Sequence, residues 1–117
     1  MKKAWKTFLD KYMKSPAEQI DNLKFQPDEI RRYDIIFSGI VQGVGFRYEV
    51  WTLAQKLQLT GYVENLPDET VHAEIQGPKN KIMYLIECLK QVPRIHIENV
   101  VIDEIALKKE ISFEIAN

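Results

Sequence analysis

The sequence predicts an α+β fold in which two helices pack on one face of an antiparallel β-sheet, and three observations carry that expectation. Apolar residues recur at helical spacing in two stretches, Val50, Leu53, Ala54 and Leu57, then Ile82, Leu85, Ile86 and Leu89. Between them Val71, Ala73 and Ile75 alternate with His72, Glu74 and Gln76, the two-residue period of a strand with one buried and one wet face. Strand-rich segments precede the first helix and follow the second, which gives the order β-α-β-β-α-β with a terminal strand. A chain of 117 residues has room for one compact core and an extension, and is too short for two ordinary domains.

The extension comes first. Trp5, Phe8, Leu9, Tyr12 and Met13 form an apolar stripe opposite Lys2, Lys3, Lys6 and Lys11. Ser15-Pro16-Ala17-Glu18 then supplies an N-cap, a first-turn proline and a capping-box glutamate for a second helix that buries Ile20 and Leu23 and ends before Pro27. Residues 1–32 are therefore expected to be a helical N-terminal extension, and residues 33–117 the globular domain. A stripe this short suits docking on its own domain, or on a second copy in a homodimer through these helices, better than a membrane surface.

Within the domain, the first strand runs through Ile35, Ile36 and Phe37 to Ser38 and feeds a glycine-rich loop, after which the first apolar helical face begins. A second strand covers Gly61 to Asn65, and Leu66-Pro67-Asp68-Glu69 is the turn into the alternating strand. Gly77-Pro78 opens the second helix. Beyond Pro93 the stretch from Ile95 to Leu107 is strand-rich, and Ile111, Phe113 and Ile115 alternate as a short last strand. No internal repeat or low-complexity tract interrupts this order.

Composition narrows the partners. With 16 basic and 17 acidic residues the net charge is −1, which argues against broad capture of nucleic acid. Residues 1–32 carry a net +3 and the remainder a net −4, so any anion site in the domain depends on local focusing. Cys88 is the sole cysteine and lies in a helical apolar pattern, as a small buried hydrophobe would. It precludes an intramolecular disulfide and fits a reducing cytoplasm. Charges at Lys6, Asp10 and Lys11 break the N-terminal apolar run, so neither a signal-peptide core nor a membrane span is expected.

Chemistry concentrates in Gly39-Ile40-Val41-Gln42-Gly43-Val44-Gly45-Phe46-Arg47. Gly43 and Gly45 allow positive φ, so successive backbone N–H groups can converge on one point. Arg47 falls in the first turn of the following helix, where the free N–H groups and the helix dipole attract an anion and a guanidinium grips phosphate in a forked pair of bonds. Ser38 and Gln42 are polar neighbours that can hold the loop's shape. Asn65, read alone, is a turn residue. His72, His96 and Cys88 have no metal-ligand spacing, and no metal site is expected. Glu49, Glu64, Asp68 and Glu69 are expected to be solvated surface groups, because a bound phosphate would repel them.

The nine-residue loop resembles the first signature of the acylphosphatase family. Gly61-Tyr62-Val63-Glu64-Asn65, with Val71 and Gly77 beyond it, fits the spacing of the second, and the likeness extends from about Tyr33 to Phe113. The resemblance implies a ferredoxin-like architecture and hydrolysis of small acyl phosphates to carboxylate and inorganic phosphate, with no cofactor and no metal. It assigns the phosphate cradle to Gln42, Gly43, Val44, Gly45, Phe46 and Arg47, and makes Asn65 the residue that holds the attacking water. A carboxylate leaving group needs no protonation, so charge stabilisation and alignment suffice for such a reaction.

Two positions depart from the second signature. Glu64 replaces a basic or neutral residue but should face away from Asn65. Glu69 replaces glycine, and costs roughly 1 kcal/mol if its φ stays positive. A non-catalytic phosphate- or phosphoprotein-binding module is the alternative, which the joint presence of Arg47 and Asn65 disfavours. A carbamoyl-phosphate-handling domain of a larger hydrogenase-maturation protein is another, and the lack of paired Cys-x-x-Cys motifs and of a further domain weighs against it.

Overall fold

The computed structural model describes Ile20 and residues 23–117. Its elements are β1 (Ile30–Ile40), α1 (Phe46–Leu57), β2 (Thr60–Asn65), β3 (Val71–Pro78), α2 (Lys79–Leu89), β4 (His96–Ile105) and β5 (Phe113–Ile115). The stripe of Trp5, Phe8, Leu9, Tyr12 and Met13, the capping box at Ser15 to Glu18, and the homodimer expected through them lie outside the described residues. β1 begins at Ile30, inside the segment assigned to the extension.

The sheet order is β4-β1-β3-β2-β5. Its pairs are antiparallel except at one edge, where β5 runs parallel to β2, so the expectation of a wholly antiparallel sheet is corrected. The reason is topological. β4 pairs antiparallel with β1 and so runs the same way as β3, and one reversal after it gives the chain the direction of β2 at the far edge. The link between β4 and β5 crosses the face opposite α1 and α2. There the Lys108 N–H donates to Gln76 Oε1 at 2.9 Å and Gln76 Nε2 donates to the Lys108 carbonyl at 2.9 Å.

Both helices lie on the other face. Val50, Leu53, Ala54 and Leu57 of α1 and Ile82, Leu85, Ile86 and Leu89 of α2 are buried against Ile35, Phe37, Val63, Val71, Ala73 and Ile75 of the sheet. This is the face expected from periodicity.

Three expectations need correction. The second face of the sheet is not simply wet: Arg32 is 1% and Glu74 9% exposed, because the crossing segment covers them and they pair at 3.0 Å. Ile111 is fully exposed and outside the last strand, since the ladder with β2 begins only at Phe113 opposite Gly61. Leu23 is exposed while Ile20 is buried. The Leu23 N–H donates to the Ile20 carbonyl at 2.9 Å, but residues 23–29 are not helical, and this single turn leaves the Leu23 side chain outside the core. Phe25 packs instead, edge-on to Tyr84 with ring centroids 5.4 Å apart.

Candidate active site

The loop leaves β1 just beyond a register irregularity at Ser38/Gly39 and is pinned at both ends by buried side chains, Val41 and Phe46. Phe46 packs edge-on to Phe37 at 4.9 Å and fixes the first turn of α1 to the core. Gly43 and Gly45 take φ of 73° and 77°, the left-handed conformation their residue type permits without strain. Gly45 is the N-cap of α1 and supplies no side-chain cap, so the helix N-terminus stays open to an external acceptor.

A cavity of about 280 Å³ lies in front of this terminus, and its lining includes Gly43, Gly45, Phe46, Arg47, Asn65 and Asn117. The structure therefore brings the two glycines, Phe46, Arg47 and Asn65 together. Gln42 and Val44 do not line it. Gln42 donates through Nε2 to the carbonyls of Leu66 and Thr70 at 2.9 and 2.8 Å, tying the loop to the β2–β3 turn beside Asn65. Ser38 points elsewhere, toward the Asn99 carbonyl.

Asn65 ends β2, and its side-chain Oδ1 is buried without a hydrogen-bond partner among the described residues. Its backbone is held by Asn117: the Asn65 N–H donates to Asn117 Oδ1, and Asn117 Nδ2 donates to the Asn65 carbonyl, each at 2.9 Å. Arg47 Nη1 also reaches Asn117, donating to its Oδ1 at 3.1 Å and to its main-chain oxygen. Asn117 was invisible to sequence reasoning, because only the seating of β5 beside β2 brings residue 117 to residues 47 and 65.

The carboxylates behave differently from expectation. Glu49 is not solvated: it is 5% exposed on α1, its Oε1 accepts from Arg94 Nη2 at 2.5 Å, and its Oε2 is buried without a partner among the described residues. The inward-facing side of an amphipathic helix carries it, and Arg94 offsets the charge. Glu64 is half-buried on the face away from Asn65, where its Oε2 lies 2.8 Å from His72 Nδ1. Asp68 and Glu69 are exposed. The hydrogen bonds from the Thr70 hydroxyl and N–H hold the Asp68 carboxyl below its usual range. Glu69 has φ of 71°, so the position does keep the left-handed conformation.

His72 sits between two carboxylates, with Nε2 at 2.6 Å from Asp34. Burial would lower its pKa, but the bonds to Asp34 and Glu64 outweigh it and raise it. His96 is exposed, and Cys88 is buried and free, with burial pushing its thiol up. Ligand atoms of Asp34, His72 and Glu74 lie within 4.8 Å of one another. They are poor metal donors as arranged. Both His72 nitrogens are engaged, and Glu74 is already neutralised by Arg32 and Lys108, each at 3.0 Å.

A family model described as Acylphosphatase matches residues 33–115. A relative from Acaryochloris marina named acylphosphatase is 43% identical over 81 residues, which cover 68% of this chain and 87% of its own. The crystal structure of acylphosphatase from Bacillus subtilis superposes with a TM-score of 0.70 at 34% identity, covering 76% of this chain and all of that one. A full-length HypF structure in a phosphate- and nucleotide-bound form also matches, at 31% identity and a TM-score of 0.70. It covers 80% of this chain but 13% of HypF.

Proposed function

The chain belongs to the acylphosphatase family and has that family's activity on small acyl phosphates, and from this premise we propose which residues perform it. The phosphate of the substrate binds at the N-terminus of α1, on backbone N–H groups of the loop and on Arg47. Both bonds to Asn117 use Arg47 Nη1, which among the described residues leaves Nε and Nη2 as a fork for two phosphate oxygens. Asn65 holds the attacking water.

The observation that carries this reading is the unpartnered Oδ1 of Asn65, buried beside the cavity that Arg47 lines. A buried carbonyl oxygen without a donor is costly, and a water molecule supplies the donor. Asparagine cannot take a proton near neutral pH, so its part is geometric. The water oxygen bonds to phosphorus, the bond from phosphorus to the acyl oxygen breaks, and the carboxylate leaves with that electron pair. The water proton passes to a phosphate oxygen. Arg47 and the amides stabilise the charge spread over the equatorial oxygens, so no step requires a metal. The buried, free Cys88 fits the cytoplasmic setting we propose.

Benzoyl phosphate hydrolysis tests the assignment. Activity should survive exhaustive chelation, and inorganic phosphate should compete with the substrate. Arg47→Gln should weaken phosphate binding and also lower turnover. Asn65→Ala should lower kcat by two or more orders of magnitude, about 2.7 kcal/mol or more, while phosphate inhibition stays near wild type. An Asn65→Ala protein with full turnover would falsify the water-holding role.

A further inference from the structure

We propose that Arg94 is a positioning residue for the anion loop, acting on the Val44–Gly45 peptide from behind, and that Glu49 fixes its guanidinium for that purpose. This inference rests on the phosphate reading above.

Arg94 lies between α2 and β4, and its backbone is held by the buried Val92 and Ile95 on either side, with the Ile95 N–H donating to the Val92 carbonyl at 3.0 Å. From there its Nε donates to the Val44 carbonyl at 2.7 Å, and its Nη2 donates to Glu49 Oε1 at 2.5 Å. The guanidinium runs directly behind the glycine, since a Cβ built on Gly45 would stand 3.4 Å from Nη2. Glu49 is one turn into the helix that Gly45 caps, and its N–H donates to the Gly45 carbonyl at 3.0 Å. Loop, helix start and Arg94 form one closed circuit.

The consequence follows from peptide geometry. In a trans peptide the C=O of one residue and the N–H of the next point in opposite directions. Every peptide bond of the described chain is trans. A Val44 carbonyl drawn back onto Arg94 therefore turns the Gly45 N–H the other way. Gly45 lines the cavity and Val44 does not, as this orientation requires. Among the described residues Arg94 alone holds the carbonyl back, and Gly45 on one side of that peptide lets it rotate when the bond is lost. A rotated peptide would present its oxygen to the phosphate instead of its N–H.

An ion pair with one exposed partner is ordinarily worth little. Arg94 is 52% exposed, but Glu49 is 7% exposed at the side chain, so one end of the pair is fixed by the core. Glu49 also cancels the charge of Arg94, which makes orientation and charge separable by experiment. Charge alone would have Glu49 work against phosphate. Orientation would have it work for phosphate.

The test uses the full chain with inorganic phosphate and benzoyl phosphate. Arg94→Ala should raise the inhibition constant of phosphate and the KM for benzoyl phosphate together, each by about tenfold or more, with a smaller change in kcat. In ¹⁵N-labelled protein, the Gly45 amide resonance should move on phosphate addition, and that movement should be lost in Arg94→Ala. Arg94→Lys should recover part of the affinity through a single donor. Glu49→Leu should weaken phosphate, and tightening there would overturn the orientation role in favour of charge. Arg94 is at the surface, so its variants keep the core if Glu49→Leu fails to fold, and cooperative melting checks each one. A role in stability alone would lower the melting temperature and leave the phosphate constant of the folded protein unchanged. A wild type that binds no phosphate defeats the underlying reading, whereas a wild type that binds and an Arg94→Ala that binds equally defeat this one.

Discussion

Glu69 is the residue at which composition and backbone disagree. Its φ of 71° is the conformation glycine takes freely, and a side chain there costs roughly 1 kcal/mol. The turn holds regardless, because the Asp68 carboxylate accepts from both the Thr70 N–H and hydroxyl, and the Leu66 N–H donates to the Thr70 carbonyl at 2.9 Å. Glu69→Gly should relieve the strain and return part of the gain through its greater freedom when unfolded, for a net stabilisation of about 0.5 kcal/mol. Urea midpoints measure it, and a loss of stability would mean that the glutamate makes a compensating contact. At this scale the sequence was informative wherever function depends on local spacing. Gly43, Gly45 and Arg47 are four residues apart at most, and their conformations follow from residue type and from the helix they open. Asn117, Arg94 and Glu49 escaped because their partners are set by the tertiary fold. A buried glutamate on a helix is indistinguishable in sequence from a solvated one.

The elements were legible from periodicity, but their ends and partners were not. α2 illustrates why. Pro78 precedes it and provides no side-chain cap, so the local sequence gives the helix no capping signal of its own. Its cap comes from fifty residues away: Asp28 Oδ2 accepts from the Asn80 N–H at 2.9 Å, the Glu29 carbonyl from the Lys79 N–H at 2.9 Å, and the Gln26 carbonyl from Asn80 Nδ2 at 2.7 Å. The run 26–29 was read as the tail of an extension, yet it completes a helix of the core. Asp28→Ala should therefore cost about 1 kcal/mol of stability, and Asp28→Asn less, because a carboxamide oxygen still accepts but lacks the charge that favours a helix N-terminus. Chemical denaturation of both variants checks this order. Equal stability of Asp28→Ala and wild type would show that the carbonyls of Glu29 and Gln26 cap α2 without it.

The face of the sheet opposite α1 and α2 carries the largest departure from a simple two-layer arrangement, since the link between β4 and β5 covers part of it with charge. Lys108 Nζ and Arg32 Nε both donate to Glu74 Oε1 at 3.0 Å, Tyr62 donates its hydroxyl proton to Glu74 Oε2 at 2.7 Å, and Arg32 also pairs with Glu110. Beside this group, His72 joins Asp34 on β1 to Glu64 on β2. Burial alone would raise the Glu74 carboxyl, but the bonds from Tyr62, Lys108 and Arg32 outweigh it and hold its pKa at about 2, against an ordinary 4.5. Glu74 therefore contributes stability above about pH 4.5 that is lost as the pH falls toward 2. His72 has the opposite sign. Its raised pKa means that its contribution is complete below the ordinary 6.5 and is lost as the pH rises through the folded value. The two slopes together place the maximum of conformational stability between these limits, in the weakly acidic range. Urea midpoints measured from pH 3 to pH 8 should trace that dome. His72→Gln should flatten its alkaline side. Glu74→Gln should lower stability at neutral pH, because buried Arg32 keeps only Glu110 as a charged partner and Lys108 loses the carboxylate it pairs with, and should flatten the acid side. Profiles of the two variants that run parallel to wild type would show that this face is held by packing of the crossing segment and not by its charges.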